Sequence, residues 1–87
     1  MYTIIIYDAA VKRVNAYKKL LRQYLYHIQN SAFEGEITHK NIKQLTSKLN
    51  EINLDNKDSI IIYTFHNSKY VNRIQKGPNK GIKSNII

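Results

Sequence analysis

Apolar positions along the chain fall into runs that predict alternating strands and helices. Residues 2–7 are β-branched or aromatic, which is typical of a strand buried on both faces. From Val11 the apolar side chains recur every three to four positions, and this period predicts a helix over about residues 11–25. The helical period returns over residues 39–52, and residues 60–65 form another run that is typical of a buried strand.

The segment between the two helices predicts a second strand and a capped helix start. Residues 27–35 read as a strand, and Gly35 permits a bend near its end. Residues 36–37 then predict a brief third strand. Thr38 precedes the second helix and is a preferred N-cap residue, so we expect its side chain to cap that helix.

The order of these elements predicts the α+β class with a ferredoxin-like β-α-β-β-α-β plan. Both helices then cover one face of the sheet and leave the other face open. Tyr70, Val71 and Ile74 predict an extra C-terminal strand, which we expect to be exchanged or added across a homodimer. We assign residues 1–76 to this domain and residues 77–87 to a basic flexible tail.

The length of the chain strengthens the expectation of a dimer. A chain of 87 residues buries only about 60–65% of the surface that its unfolded form exposes, so a lone copy is marginally stable. The sequence has no cysteine, which excludes disulfides and thiolate catalysis. No apolar run reaches the roughly 20 residues that span a bilayer, and no signal peptide is evident. We expect a soluble, intracellular protein.

Charge points to a polyanionic partner, although a second explanation stays open. The chain carries 14 Lys and Arg against 6 Asp and Glu, a formal net charge of +8. Because Lys outnumbers Arg 11 to 3, an AT-rich coding bias also explains part of this charge. The densest cluster lies on the exposed side of the first helix and comprises Lys12, Arg13, Lys18, Lys19 and Arg22. It is either a solvated helix face or a surface that contacts phosphates.

Asp8 is the unusual acidic residue, because it ends a wholly apolar strand. Ligands of α/β proteins often bind at such strand ends. The alternative role is an N-cap for the first helix, which begins only three residues later, and spacing alone slightly favours this alternative. If Asp8 does chemistry, one carboxylate is a poor Mg²⁺ site. A two-fold dimer would supply a second Asp8, and the metal would then activate water for phosphodiester cleavage.

The remaining chemistry-bearing residues give weaker signals. His27, His39 and His66 form no metal-binding spacing, and Ser31 has no nearby base. Phe33 is better explained as a core or interface residue than as a base-stacking aromatic. The chain also lacks the glycine-rich phosphate loops and the aromatic signature of ferredoxin-like RNA-binding modules.

Several stretches follow one another in an order that is typical of a known family. The most specific is the block Gln29-Asn30-Ser31-Ala32-Phe33-Glu34-Gly35. The others are residues 1–8, 12–15, 21–25, 58–63 and 76–78, with 85–87 at the end. Together they cover nearly the whole chain, which resembles the second CRISPR-associated protein family, small endoribonucleases that partner the CRISPR integrase in spacer acquisition.

The resemblance implies a homodimeric, Mg²⁺-dependent nuclease in the prokaryotic cytoplasm. Asp8 matches the metal-binding Asp at the end of the first strand and becomes the expected catalytic and metal-binding residue. The implied partners are the CRISPR integrase subunit and nucleic acid, either single-stranded RNA or duplex DNA. The side chains that line the same face in the family pattern are Tyr7, Lys12, Arg13, His27, Ser31 and Phe33. We assign nucleic-acid binding to Lys12, Arg13, Lys19 and Arg22.

Three functions are therefore carried forward. The first is a CRISPR adaptation protein that cleaves phosphodiester bonds with Mg²⁺ held by Asp8, in antiviral defence. The second is a non-catalytic scaffold that grips the DNA to be integrated. The third is a toxin-like RNase on the same fold. Ala9 and Ala10 replace a more polar or branched pair of the family, which would alter access to Asp8.

Overall fold

The structure, a computed structural model, describes residues 1–72, 74, 76 and 77. Its elements in chain order are β1 (Tyr2–Asp8), α1 (Val11–Leu21), β2 (Tyr26–Gln29), β3 (Ala32–Glu36), α2 (His39–Ile52) and β4 (Ser59–Phe65), followed by a short 3₁₀ helix over Ser68–Tyr70. The ferredoxin-like β-α-β-β-α-β plan is thus confirmed. Neither α-helix of the described residues is long and apolar enough to cross a membrane.

The four strands form one antiparallel sheet in the order β2-β3-β1-β4. The central strand β1 pairs with β3 on one side and with β4 on the other, so Ile5 lies opposite both Phe33 and Ile62. At the far end of β1, Asp8 lies opposite Ser59, the first residue of β4. Because side chains alternate between the faces of a strand, Ile5 and Asp8 project to opposite sides of the sheet.

The core lies between the sheet and the two helices. Residues that the helical period places on one stripe are buried there, namely Tyr17 and Leu21 of α1 and Leu45 and Leu49 of α2. The other face of the sheet carries no helix and is called the open face below. On β1 and the two strands that flank it, the residues of this face nearest Asp8 include Ile6, Ala32, Ser59 and Ile61, and Ile4, Glu34 and Tyr63 lie farther along.

The start of α2 forms as the sequence predicts. Thr38 has extended backbone geometry, and its Oγ1 accepts a hydrogen bond from the N–H of Asn41 at 3.1 Å. This bond satisfies one of the N–H groups that the first turn of a helix leaves without an intrahelical partner. The predicted bounds of α2, residues 39–52, are confirmed.

Helix α1 ends four residues earlier than its apolar period predicts. Arg22 caps the helix, and turn hydrogen bonds carry the chain onward, including one from the N–H of Leu25 to the carbonyl of Leu21 at 2.9 Å. Leu25 is nevertheless buried. The apolar period continues past the helix because a tightened last turn keeps Leu25 on the core side while the chain redirects into β2.

The single strand predicted over residues 27–35 is a hairpin of two strands. The turn lies at Asn30, whose positive φ of 40° belongs to the left-handed region that Asn tolerates better than most residues. A register shift between His27 and Gln29 interrupts the pairing of β2 with β3. Asn30 therefore marks the turn of the hairpin, although the alternation of side chains over residues 27–35 suggested one continuous strand.

The C-terminal predictions are tested only in part. Tyr70 lies in the 3₁₀ helix rather than in a strand, and Val71 follows it with extended backbone angles. The predicted tail over residues 77–87 lies outside the described residues except for Gly77. An exchanged C-terminal strand stays a prediction.

Candidate nucleic-acid and metal site

Asp8 ends β1 on the open face, and its side chain is exposed. Within the described part of the chain its carboxylate makes no hydrogen bond and no ion pair. A carboxylate in this position is available to a ligand, since no group of the described residues binds its oxygens.

The alternative role of Asp8 as a cap for α1 is wrong. The N-cap residue of α1 is Ala10, which has no side-chain oxygen to offer. The N–H of Ala10 is bound instead by a residue from the other end of the chain, with Asp58 Oδ1 accepting it at 3.2 Å. Asp58 thus binds the N-cap residue itself, whereas the N–H groups in the first turn of α1 have no side-chain cap.

Asp58 is the centre of a buried polar cluster at the same edge of the sheet. Arg13 binds it through two bonds, Nε to Oδ2 at 2.6 Å and Nη2 to Oδ1 at 2.8 Å. The hydroxyl of Tyr17 donates to Oδ2 at 2.8 Å. Only 2% of the Asp58 side chain is exposed. The carboxylate is therefore fully engaged and has no capacity left for a metal ion.

These contacts shift the pKa values of the cluster in opposite directions. The bonds from Arg13, assisted by those from Tyr17 and Ala10, hold the pKa of the Asp58 carboxyl well below its ordinary value. Burial first, and the bond to Asp58 second, raise the pKa of Tyr17 to about 12. The cluster is thus a stable carboxylate, guanidinium and phenol at neutral pH.

The predicted site-lining aromatic residues do not share a face with Asp8. Tyr7 and Phe33 are buried on the helix-covered side, with ring centroids 6.4 Å apart. His27 stacks on Phe33 at 4.6 Å, and its Nε2 lies 2.7 Å from the carbonyl of Asn30, to which it donates. The expectation that these side chains line the face of Asp8 is wrong, because residues at odd and even positions of a strand point to opposite sides.

Tyr7 and Ser31 lie near one of the predicted basic residues. The N–H of Tyr7 donates to the carbonyl of Ser31 at 3.1 Å. Burial raises the pKa of the Tyr7 phenol, while the Ser31 side chain and the positive charge of Arg22 partly offset the increase. The Tyr7 side chain therefore packs the core beneath Asp8, and its main contribution is to the rigidity of the strand end.

The four predicted nucleic-acid-binding residues all lie on or next to α1, but they are not equivalent. Lys12, Lys19 and Arg22 are exposed. They recur at a spacing that keeps them on one side of α1 and its C-cap, so they form a basic stripe about 15 Å long. Arg13 differs, since the bonds from its guanidinium to Asp58 leave only 22% of its side chain exposed. The name basic stripe is used below for Lys12, Lys19 and Arg22.

The donor set of one chain fits a divalent cation only in part. Asp8 supplies a hard oxygen ligand, the type that Mg²⁺ prefers. Among the described residues no three His, Asp or Glu side chains are grouped closely enough to hold a metal ion. A second carboxylate has to come from another copy, or the remaining oxygen ligands from the phosphates of a substrate.

Sequence reasoning missed Asp58, although it recognised Asp8. Asp58 comes directly before the apolar run of β4, at the start of a strand, whereas Asp8 lies at the end of one. No pattern connects it to Arg13 across 45 residues. Only the antiparallel pairing of β1 with β4 brings the two strand ends together.

Comparison with known proteins assigns the chain to a family. Residues 1–73 match the family model described as CRISPR associated protein Cas2. A CRISPR-associated endoribonuclease Cas2 from Methanosarcina acetivorans is 40% identical over 87 residues, covering 100% of both chains. The same-named protein from Methanothermobacter thermautotrophicus is 40% identical over 82 residues, with 90% of each chain covered.

Solved structures agree with the sequence comparisons. A crystal structure of a Cas2 protein superposes with a TM-score of 0.83 at 39% identity, covering 100% of this chain and 98% of the other. Streptococcus pyogenes Cas2 at pH 6.5 superposes with a TM-score of 0.71 at 25% identity, covering 86% of this chain and all of its own. With a family match over most of its length and relatives that align end to end, the chain belongs to the CRISPR-associated Cas2 family.

Proposed function

We propose that this protein is a CRISPR adaptation protein that cleaves phosphodiester bonds as a homodimer, with Asp8 as its metal ligand. The observation that carries the proposal is the exposed carboxylate of Asp8, which ends the central strand and is not bound by any described residue. The names of the relatives, which are endoribonucleases, support RNA as the substrate class. The CRISPR integrase is the expected protein partner in spacer acquisition.

The open face supports the dimer. Ile6, Ile61 and Tyr63 are side by side on neighbouring strands, and each is 41–49% exposed. A cluster of large apolar side chains on a small protein is typical of an interaction surface. Because Asp8 lies on the same face, a two-fold axis through it would bring two Asp8 carboxylates toward one another and complete the ligand set that one chain lacks.

The residues of the chain have separable roles in this reaction. Asp8 would hold Mg²⁺, which when bound supplies Lewis-acid stabilisation of charge on the scissile phosphate. The basic stripe would bind neighbouring phosphates and orient the strand without reading its sequence. The buried aromatic side chain of Tyr7 keeps the end of β1 packed, so that Asp8 projects from a rigid strand.

The test compares the wild type with Asp8→Asn on single-stranded RNA and on duplex DNA, each with Mg²⁺ or with a chelator. We expect cleavage by Asp8→Asn to fall by more than the roughly 100-fold that the loss of an outer-shell metal partner costs. Asp55→Asn is the matched control, since it removes an equally exposed carboxylate from a loop and should retain full activity. Cleavage by Asp8→Asn at the wild-type rate would contradict the assignment.

A second candidate, the non-catalytic scaffold, is favoured by the basic stripe. Its three exposed cations need no contribution from Asp8 to bind a duplex. In this case Asp8→Asn supports integration as well as the wild type does. Lys19→Glu and Arg22→Glu instead weaken duplex binding. They also reduce its dependence on salt, because the slope of log affinity against log salt concentration becomes shallower by about one unit for each phosphate that the protein no longer neutralises.

A further inference from the structure

The connection between β1 and α1 is held by a side chain that the proposed chemistry does not use. Only Ala9 and Ala10 separate the two elements. The N–H of Ala10 donates to the side chain of Asp58. Ser59, which follows Asp58 in the chain, pairs with Asp8 in the β1–β4 ladder. Asp8 is thus fixed on one side by its own strand pairing and two residues later by Asp58.

Asp58 is well suited to act as an anchor, because it is itself immobile. The two parallel bonds from Arg13 fix both the position and the plane of the carboxylate. The bond from Tyr17 reaches it from the second turn of α1, so the same carboxylate connects the start of the helix with its core-facing side. The side chain is almost completely buried, which excludes competing water.

The backbone of Asp58 is held as firmly as its side chain. Asn53 Nδ2 donates to the carbonyl of Asp58 at 3.1 Å, and Asn53 Oδ1 accepts from the N–H of Asp58 at 3.0 Å. Asn53 is also the C-cap of α2, where its own N–H binds the carbonyl of Leu49 at 3.0 Å. A continuous set of hydrogen bonds therefore runs from the buried end of α2 through Asp58 to the exit of β1.

The chain offers no replacement for this anchor among its described residues. A helix N-cap is normally Ser, Thr, Asp or Asn, whose side chain binds the first N–H groups of the helix, but α1 has Ala10 there. Ala9 packs against the edge of the core, but Ala10 is exposed, so the residue that Asp58 binds has little packing of its own. Without Asp58 the connection loses its only side-chain hydrogen bond within the described part of the protein.

We propose that Asp58, held by Arg13, is a positioning residue that fixes the exit of β1 and so presents the Asp8 carboxylate to a divalent cation in one orientation. This inference rests on the proposed function, since it concerns the same metal ligand. The physical reason is that a ligand held in advance loses little conformational freedom when the cation binds. Groups that hydrogen-bond a metal ligand directly contribute about 10- to 100-fold to metal affinity. Asp58 acts one step farther away, through the backbone between Ala10 and Asp8.

The test uses Asp58→Ala against its matched control, Asp55→Ala, which removes an exposed carboxylate from the same connector. The first readout is hydrogen exchange at the Ala10 amide relative to the amide of Leu45 in the core of α2. A global loss of stability would accelerate both amides equally, whereas loss of the local anchor accelerates exchange at Ala10 alone. We expect the ratio to rise at least about tenfold in Asp58→Ala and to stay unchanged in Asp55→Ala.

The second readout is the affinity for Mn²⁺ alone, measured by electron paramagnetic resonance. We expect Asp58→Ala to bind Mn²⁺ up to about tenfold more weakly than the wild type, the low end for outer-shell partners, because Asp58 does not touch the Asp8 carboxylate. Its affinity for RNA in chelator should not fall, because the basic stripe is untouched and the substitution removes a negative charge beside Arg13. If Asp58→Ala does not fold, Asp58→Asn replaces it, because asparagine keeps the shape of the side chain. Its single amide oxygen cannot accept from all four donors, so we expect a smaller loss of Mn²⁺ affinity in the same direction.

Equal Mn²⁺ affinities in the two alanine variants would overturn the proposal, whatever the exchange ratio, and leave Asp58 as a purely structural residue. A different failure is visible in Asp8→Asn. If this variant binds Mn²⁺ as tightly as the wild type, the metal assignment of the proposed function is wrong. The exchange ratio of Ala10 then still reports whether Asp58 anchors the exit of β1, independently of the metal.

Discussion

Ile5 and Ile6 are adjacent in β1 and chemically identical, yet they belong to different regions of the molecule. Ile5 is completely buried under the helices, whereas 41% of Ile6 is exposed on the open face. The same contrast recurs in β4, where Ile62 packs against the core and Ile61 is 46% exposed. One face of the sheet is covered by the helices of the same chain, and the other face has no such cover.

The two faces also differ in how they treat a carboxylate at the same edge of the sheet. On the open face, Asp8 is exposed and is bound by no described residue. On the helix-covered side, Asp58 is buried and accepts four hydrogen bonds. The contacts that stabilise the fold lie on the helix-covered side, and the groups available for binding lie on the open face. Each prediction below compares residues matched in chemistry but different in place.

The largest expected effect is on folding. Ile5→Ala removes a fully buried side chain and should lower the free energy of unfolding by about 2–5 kcal/mol. At protein concentrations low enough to keep the chain monomeric, Ile6→Ala should cost about 1 kcal/mol or less, because its side chain is already in contact with water. Urea denaturation measures both values. Equal losses in dilute protein would contradict the contrast between the faces.

The next effect is on association. Ile61→Lys places a charge in the centre of the open face and should weaken dimerisation by about 10- to 30-fold, the range in which a central interface residue begins to count as a hot spot. Leu54→Lys is the control, since Leu54 is as apolar and 81% exposed but lies outside the sheet. Sedimentation equilibrium gives the dissociation constants. A dimer that tolerates Ile61→Lys would have to use another surface.

The smallest expected effect is a dependence of stability on pH. Because Arg13 lowers the pKa of Asp58 in the folded protein, the stabilisation by Asp58 is present above its ordinary value of 3.8 and is lost as pH falls below it. Tyr17 acts at the other extreme. Its pKa is raised from 10.0 to about 12, so its contribution is present below pH 10 and is lost between pH 10 and 12.

Melting temperatures measured between about pH 2.5 and 6 would test the acid side of this dependence, over a range chosen to span the ordinary pKa of a carboxyl group. We expect Asp58→Asn to flatten the acid decline, whereas Asp55→Asn should leave it as steep as in the wild type. An identical decline in both variants would mean that other carboxyl groups control the acid sensitivity. The comparison isolates Asp58, since the two variants lose the same formal charge.

Much of the fold follows from local patterns. Helix α2 was predictable to the residue because Thr38 caps it and because its apolar stripe is regular. The hairpin between β2 and β3 was not, since Asn30 sits in an otherwise strand-like segment and its left-handed conformation depends on the strands that flank it. The end of α1 was misplaced for a similar reason, because Leu25 continues the apolar period beyond the helix.

The candidate site divides in the same way. Asp8 could be identified from the sequence because an acidic residue at the end of an apolar strand is unusual, and this does not depend on what the strand packs against. The face on which Tyr7 and Phe33 lie could not be assigned, since an uninterrupted apolar run gives no alternation that tells one side of a strand from the other. Arg13 looked like a free cation in the sequence and became the partner of Asp58 in the structure.

The sequence by itself determined the order of the elements, the cap and stripe of α2, the strand-end position of Asp8 and the basic stripe along α1. These depend on neighbours within a few residues, where periodicity and capping act. Only the tertiary structure decided which isoleucines are buried, which carboxylate is bound and which stays available. Those outcomes depend on contacts between segments about 45 residues apart, which form when β4 pairs with β1 and brings Asp58 to Arg13.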